Sequence, residues 1–223
     1  MKLAIVGYGK MGRMIQQFAP EFGFDVAARI DVGEDISAAR GCDAAIEFTE
    51  PMAAVNNLLA LAEMRVPTVC GTTGWSAELP RVRKAVEEAG SALVYSANFS
   101  IGVNVFTRLV ADAARLLANE AEYGAWAWEI HHSTKKDAPS GTLLKVVEAM
   151  KGAGFSRAID VSSNRAGAHP GTHEIGFDSA ADTITLRHVA RSRDGFARGA
   201  LKAAQWVTDK QGVWDFSEVL FGR

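Results

Sequence analysis

Cysteine is scarce in this chain, with Cys42 and Cys70 as the only two among 223 residues. Both lie in apolar, strand-like segments and neither forms a C-x-x-C pair, so a disulfide scaffold has no support and a reduced, cytoplasmic setting is expected. Long hydrophobic runs are also missing. No stretch approaches the ~20 apolar residues that a membrane span needs, and the initial LAIV is too short for a signal-peptide core, so it reads as a mature first strand. Charge of one sign is missing as well. A net charge of -2 gives no general nucleic-acid surface. Repeats, low-complexity tracts and a disordered tail are absent from the pattern. What remains is 48% hydrophobic and 22% charged, the composition of an ordinary globular protein. The length suffices for one large domain or two small ones.

The first hundred residues alternate strand and helix patterns. Residues 3–6 form a short continuous apolar run, as in a strand buried on both faces. Met11, Met14, Ile15 and Phe18 follow at helical spacing. Further strands are expected at 24–31, 42–49, 66–70 and 91–96. Helices are expected from Pro51, with Val55, Leu58, Leu59 and Ala62 on one side, and over 77–89, with Val82, Val86 and Ala89. Such alternation implies a parallel, Rossmann-like sheet with right-handed crossovers. The pattern then changes. A helix over 102–118 places Phe106, Leu109, Val110, Ala113, Leu116 and Leu117 on one stripe. AWAWEIHH alternates Trp126, Trp128 and Ile130, a strand with one apolar face. A helix over 142–151 and strands at 159–163, 172–178 and 183–190 suggest a smaller α+β domain with an open mixed sheet. Residues 194–210 are helical again, with Phe196, Ala200, Ala203 and Val207 aligned. We expect a dinucleotide-binding domain of residues 1–98 and 195–223, and a substrate-binding and oligomerisation domain of residues 99–194.

Gly7, Gly9 and Gly12 form G-x-G-x-x-G between the first strand and the first helix. In that context the first glycine permits the tight turn, the second admits a pyrophosphate, and the third lets helix pack on strand. Free N–H groups at the helix start attract phosphate. Asp31 ends the second strand, where an acid takes adenosine ribose hydroxyls and repels a 2′-phosphate. Arg29, Lys10 and Arg13 are cations that would accept such a phosphate, so the residues leave NADH and NADPH both open. Gly71-Thr72-Thr73-Gly74 and Ser96-Ala97-Asn98-Phe99 end the fourth and fifth strands, where ligands of open α/β sheets bind. An ordinary βα turn is the competing reading of each.

Residues 129–142, EIHHSTKKDAPSGT, form the densest chemical segment. It leaves an apolar strand, crosses a polar loop and enters a helix. His131 and His132 are suited to proton transfer near neutral pH. Lys135 has the chemistry to donate a proton or pair with a carboxylate. Ser140 is a good N-cap, and the N–H groups after it make an anion site. A substrate with carboxylates suits these parts. Satisfied polar histidines and a simple cap are the competing reading. A metal site is not expected: adjacent histidines do not converge on one ion, and His169-x-x-x-His173 spans a proline and a glycine. A Ser or Cys nucleophile has no support, since Ser140 lacks a nucleophile elbow.

These residues resemble the 4-hydroxy-tetrahydrodipicolinate reductases, also called dihydrodipicolinate reductases. The resemblance rests on E-I-H-H-x-x-K-x-D-A-P-S-G-T at 129–142, V-G-Y-G-K-M-G at 6–12, C-G-T-T-G-W at 70–75 and S-A-N-F-S-I-G-V-N at 96–104. G-A-x-x-A-A-Q-W-V at 199–207 and D-F-S-E-V-L at 215–220 carry it to nearly the whole chain. It implies hydride transfer from NADH or NADPH to a cyclic unsaturated imine dicarboxylate, with His131 as general acid/base and Lys135 as proton donor. His132, Ser140, Gly141, Thr142 and Arg165 would bind substrate. Gly7, Tyr8, Gly9, Lys10, Met11, Gly12, Asp31, Gly71, Thr72, Thr73, Ser96, Ala97, Asn98 and Phe99 would contact the dinucleotide. It also implies a homotetramer built through the second sheet and no nucleic-acid or membrane partner. The chain departs from the long family members in four places: a compressed stretch between the second and third strands, a loop between the cofactor glycines that is one residue shorter, Ser133 and Thr134 where basic residues are common, and the segment G-A-H-P-G-T-H after Arg165.

Overall fold

The computed structural model describes residues 1–222. They form two compact units, one comprising Met1–Ile101 and the chain from Asp194 onward, the other Gly102–Arg193. In the first unit, β1 (Lys2–Val6), β2 (Asp25–Ile30), β3 (Ala44–Glu47), β4 (Thr68–Cys70), β5 (Ala92–Tyr95) and β10 (Gly212–Asp215) build a parallel sheet in the order β10-β5-β4-β3-β1-β2. Helices α1 (Lys10–Phe18), α2 (Pro51–Glu63), α3 (Leu79–Ala89) and α6 (Asp194–Val207) cover it, and α7 (Phe216–Phe221) follows β10.

The apolar run of β1 is explained by cover on both faces. Leu3 and Ile5 pack with Ile15 and Phe18 of α1 and with Ala200, Leu201 and Ala204 of α6. Ala4 and Val6 pack on the other side with Ile30 and Leu61. The small residues of α6 let it approach closely. A Cβ on Gly199 would stand 1.7 Å from the carbonyl oxygen of Phe99. Strand β10 was not expected from the sequence: it has four residues, GVWD, and is half-buried apart from Val213, so it carries neither an apolar run nor an alternation.

The second unit holds α4 (Ile101–Leu116), β6 (Gly124–His131), α5 (Gly141–Gly152), β7 (Ile159–Arg165), β8 (Thr172–Asp178) and β9 (Thr183–Val189). Its sheet runs β7-β6-β8-β9, with β6 parallel to β7 and the other pairs antiparallel. Phe106, Val110 and Ala114 of α4 and Leu143, Val146, Val147 and Met150 of α5 bury against Ala127, Ile175 and Phe177. One expectation needs correction here. Leu109 and Leu116 are 52% and 75% exposed, because the buried stripe follows 106, 110 and 114 at a strict four-residue step. The helices cover the alanine side of β6, leaving Trp126 and Trp128 half-buried on the other face beside Asp160, Ser162, Glu174 and Arg187. Small inward residues admit two helices, and strand alternation sends the tryptophans outward.

Register sorts the helix-facing side of this sheet into rows. Val161, Ala127, Ile175 and Leu186 lie abreast and form apolar core. One pleat on, Ser163, Glu129, His173 and His188 lie abreast. One pleat further, Arg165 is abreast of His131. The core thus passes into a polar site within two residues of strand.

Candidate functional site

The first unit presents its turns at the carboxyl ends of the parallel strands, where open α/β sheets bind ligands. Gly7 has a φ of 90°, and a Cβ there would stand 2.1 Å from the carbonyl oxygen of Phe48. A Cβ on Gly12 would stand 2.4 Å from the carbonyl oxygen of Gly7, so α1 packs tightly on the turn. Gly9 has open space in place of a side chain. No side chain caps the start of α1, and no acid stands in its first turn. Packing therefore demands the first and third glycines. The second is not demanded by packing, and the uncapped N–H groups beside it suit a phosphate.

Around this turn, Lys10 is exposed, Tyr8 and Met11 are half-buried, and Arg13 and Arg29 flank the Tyr8 ring at 6.0 and 5.9 Å. Arg29 Nε donates to Gln16 at 2.6 Å. Asp31 directly follows β2 and is exposed. Its Oδ1 accepts from the N–H of Val32 at 3.0 Å, and its own N–H donates to Glu34 at 2.6 Å, which brings a second carboxylate to the strand end. Gly71 exists for packing, since a Cβ there would strike the Phe48 ring at 2.1 Å. Thr72 is buried and accepts from the N–H of Thr49 at 2.8 Å, whereas Thr73 is exposed. The Ser96 hydroxyl accepts from the N–H of Asn98 at 3.1 Å; Ala97 is exposed. Phe99 is a core side chain, edge-on to Phe48 and tilted on Phe216, so only its backbone is open to a ligand. Cys70 donates to buried Glu47 at 3.1 Å; burial, then the Glu47 charge, push its thiol well up, the reverse of a reactive cysteine.

In the second unit, His131 closes β6 and is buried, while His132 lies beyond the strand, half-exposed, with Nδ1 2.7 Å from the Thr134 hydroxyl. The Ser140 hydroxyl caps α5 by accepting from the N–H of Leu143 at 3.1 Å. Lys135 donates to Asp137 at 2.7 Å, and the other oxygen of Asp137 accepts from the N–H of Gly141 at 3.4 Å. That lysine hydrogen bond holds the Asp137 carboxyl below its usual range. An internal carboxylate thus bridges the lysine and the start of α5. It shows directly that the two can grip a carboxylate together.

Glu129 joins these parts. It is fully buried and accepts from the N–H of Ser140 at 2.8 Å, from the Ser140 hydroxyl, from Ser163 at 3.1 Å and from Arg165 at 2.9 Å. His173 Nε2 and His131 Nδ1 lie 3.4 and 3.5 Å from its Oε2. Burial opposes its charge, yet hydrogen bonds from His173, Ser140 and Arg165 prevail and hold its carboxyl far below the usual range. Burial lowers His131 to about 4, against the opposing pull of Glu129, so its ring is neutral near pH 7. Arg165 also donates to the carbonyls of Asn164 and Asp137.

Two family models, described as the N-terminus and the C-terminus of dihydrodipicolinate reductase, match residues 1–99 and 102–220. A 4-hydroxy-tetrahydrodipicolinate reductase of Christiangramia forsetii is 33% identical over 99% of this chain and 98% of its own length. The chain belongs to the dihydrodipicolinate reductase family. With it, the chain is an NAD(P)H-dependent oxidoreductase of lysine and diaminopimelate biosynthesis. A reductase of the same name from Methanoregula boonei is 36% identical over 89% of the chain and 82% of its own length. Among solved structures, a dipicolinate-bound dihydrodipicolinate reductase from Paenisporosarcina sp. TG-14 superposes with a TM-score of 0.85 over 96% of this chain and 97% of that one, at 18% identity. An amine dehydrogenase from Mycobacterium smegmatis shares the fold more loosely, at 0.67 and 10% identity over 97% and 95% of the two chains.

Within the family frame, sequence reasoning missed Glu129 and His173 as parts of the site. The available signal was strand alternation: Glu129 shares the inward side of β6 with Ala125 and Ala127, where a carboxylate needs partners. Ligand atoms of Glu129, His131 and His173 lie within 4.8 Å of one another, a spacing that a metal ion tolerates. The donors already on Glu129, one of them the cationic Arg165, make it a hydrogen-bonded carboxylate instead. Among the described residues no helix is long and apolar enough to cross a membrane.

Proposed function

We propose that this chain acts as a 4-hydroxy-tetrahydrodipicolinate reductase, with the dinucleotide held by the first unit and the dicarboxylate by the second. The observation that carries the reading is the grip of Lys135 and the α5 start on one carboxylate, beside a neutral, buried histidine. Gly7, Gly9 and Gly12 with the uncapped start of α1 receive the pyrophosphate, and the nicotinamide supplies the hydride when bound. Gly141 and Thr142, with Lys135 and His132, take the substrate carboxylates, displacing Asp137. Arg165 adds positive charge. His131 acts as general acid/base: neutral in the free protein, it gains proton affinity as the substrate's negative charge arrives. Lys135 delivers the proton to the carbon next to the one that receives the hydride. Water leaves the ring, and tetrahydrodipicolinate is the product.

Two finer points belong to the same proposal. NADH is favoured over NADPH, because Asp31 and Glu34 bring two carboxylates to the end of β2, which would repel a 2′-phosphate, although Arg29 and Arg13 flank Tyr8 of the glycine turn. A homotetramer forms through the open face of the second sheet, where Trp126 and Trp128 are incompletely covered. The free thiols of Cys42 and Cys70 suit the cytoplasm. The test is isotopic. With NADH deuterated at the transferring carbon and fresh condensation product of pyruvate and aspartate semialdehyde, one deuterium should enter a product of tetrahydrodipicolinate mass. A protein that binds NADH yet transfers no deuterium contradicts the reading.

A further inference from the structure

His131 needs a defined tautomer and a defined ring orientation if it is to exchange a proton, and the structure shows what supplies both. On one side, the ring leans on Gly171, where a Cβ would stand 2.9 Å from Nε2. On the other, Nδ1 is buried without a hydrogen bond, and the nearest acceptor is Glu129 Oε2 at 3.5 Å. That gap is of the size that catalytic hydrogen bonds close when substrate binds. Glu129 cannot swing away, because Ser140, Ser163 and Arg165 all donate to it. His173, on the neighbouring strand, closes the remaining side at 3.4 Å, with its ring edge-on to that of His131 at 5.1 Å. Three parts given roles under the proposed function therefore meet on one carboxylate: the histidine, the α5 start through Ser140, and Arg165.

We infer that Glu129 and His173 are positioning residues of the reductase. Glu129 accepts a hydrogen bond from the Nδ1–H of His131, which leaves Nε2 as the nitrogen that exchanges a proton with substrate. His173 keeps the Glu129 carboxylate in that line. The same carboxylate sets Arg165 and the first turn of α5, so orientation of the proton-transfer group and of the anion site are coupled. A buried carboxylate that only glued the strands together would have no need to leave Nδ1 of His131 facing it without another partner.

The inference rests on the reductase reading for its kinetic arm, and a spectroscopic arm keeps the two separable. Glu129→Gln keeps the shape and removes the charge. Its kcat, measured on the folded protein, should fall about 100-fold with NADH affinity close to wild type, while the thermal midpoint drops because Arg165 loses its buried anion; His173→Gln should lower kcat in the same direction. In a His131→Gln background, Glu129→Gln should cost little more in kcat, since that part of its effect acts through the missing ring, and its remaining effect through Arg165 and the α5 start should appear in the substrate KM. An equal loss with and without His131 overturns the inference. So does loss of activity to a chelator with recovery on adding zinc, which would make the cluster a metal site. The groups facing His131 are Glu129, His173, Lys135 and Arg165. Removing the one anion among them should move the acid limb of the pH profile to lower pH. Independently of any activity, NMR of the imidazole nitrogens should show His131 protonated at Nδ1 in the wild type and redistributed in Glu129→Gln. A wild-type ring protonated at Nε2, or a tautomer indifferent to the substitution, overturns the inference even in an active enzyme. Inactive wild-type protein with the Nδ1 tautomer would retain the Glu129–His131 relationship and sink the reductase reading instead.

Discussion

The backbone N–H of Ser140 donates to Glu129 at 2.8 Å, so the first turn of α5 is tied to the strand that ends in His131. A helix start and a strand end are thereby held in one geometry by a carboxylate that no water reaches. That tie explains how an irregular loop, residues 132–139, can present Lys135 and the α5 N–H groups at a repeatable distance from the histidine.

Replacing His131 with Gln removes the proton-exchanging ring while keeping a polar side chain. The turnover number should fall by about 10²–10⁴-fold, and NADH affinity, measured by fluorescence titration, should stay near wild type. Parallel loss of NADH binding would count against a role confined to proton transfer.

Gly171→Ala tests the other side of the same ring. Gly171 has a φ of 135°, and its added Cβ would meet His131 Nε2 at 2.9 Å. The strained backbone should cost about 1–3 kcal/mol of stability, read from urea midpoints, and kcat should fall with NADH affinity unchanged. Wild-type stability together with wild-type kcat would mean that Gly171 does not set the ring.

Acid should weaken the fold in two stages. Burial lowers His131 from 6.5 to about 4 and lowers His188 as well. The unfolded chain therefore binds more protons than the folded one below pH 6.5, and stability falls as pH falls from there toward 4. Each histidine contributes at most about 1.4 kcal/mol per pH unit within its window. Glu129, held below the usual carboxylate range, adds a loss of its own that begins only as pH falls below 4.5. Urea midpoints across this range should decline from 6.5 downward, less steeply in His131→Gln. A midpoint flat between 6.5 and 4.5 would mean that the histidines are not buried neutral.

Asp31→Ser bears on cofactor choice. With the carboxylate gone, NADH should weaken more than NADPH in direct binding measurements. An unchanged ratio of the two dissociation constants would remove Asp31 from the ribose site.

Much of this was legible because periodicity reports cover. The LAIV run of β1 foretold a strand packed on both sides, and G-x-G-x-x-G after it foretold the turn now seen to exclude side chains at Gly7 and Gly12. The polar row was not legible, because it is a property of register. Glu129, His173, Ser163 and His188 come from four strands, and only pairing puts them abreast. In the sequence His173 pairs most visibly with His169, whereas its partner Glu129 lies across the sheet. The alternation of AWAWEIHH specifies a strand, but its most apolar side, that of the tryptophans, is not the side the helices cover. The alanines mark the covered face, because helices need room more than they need bulk opposite them.

The most direct test follows the near-ultraviolet absorbance of reduced nicotinamide while purified protein meets NADH or NADPH and fresh condensation product of pyruvate and aspartate semialdehyde. The account predicts rapid, substrate-dependent oxidation, faster with NADH at low concentration, and nearly abolished in His131→Gln. Measurable NADH binding without oxidation of either cofactor would contradict it.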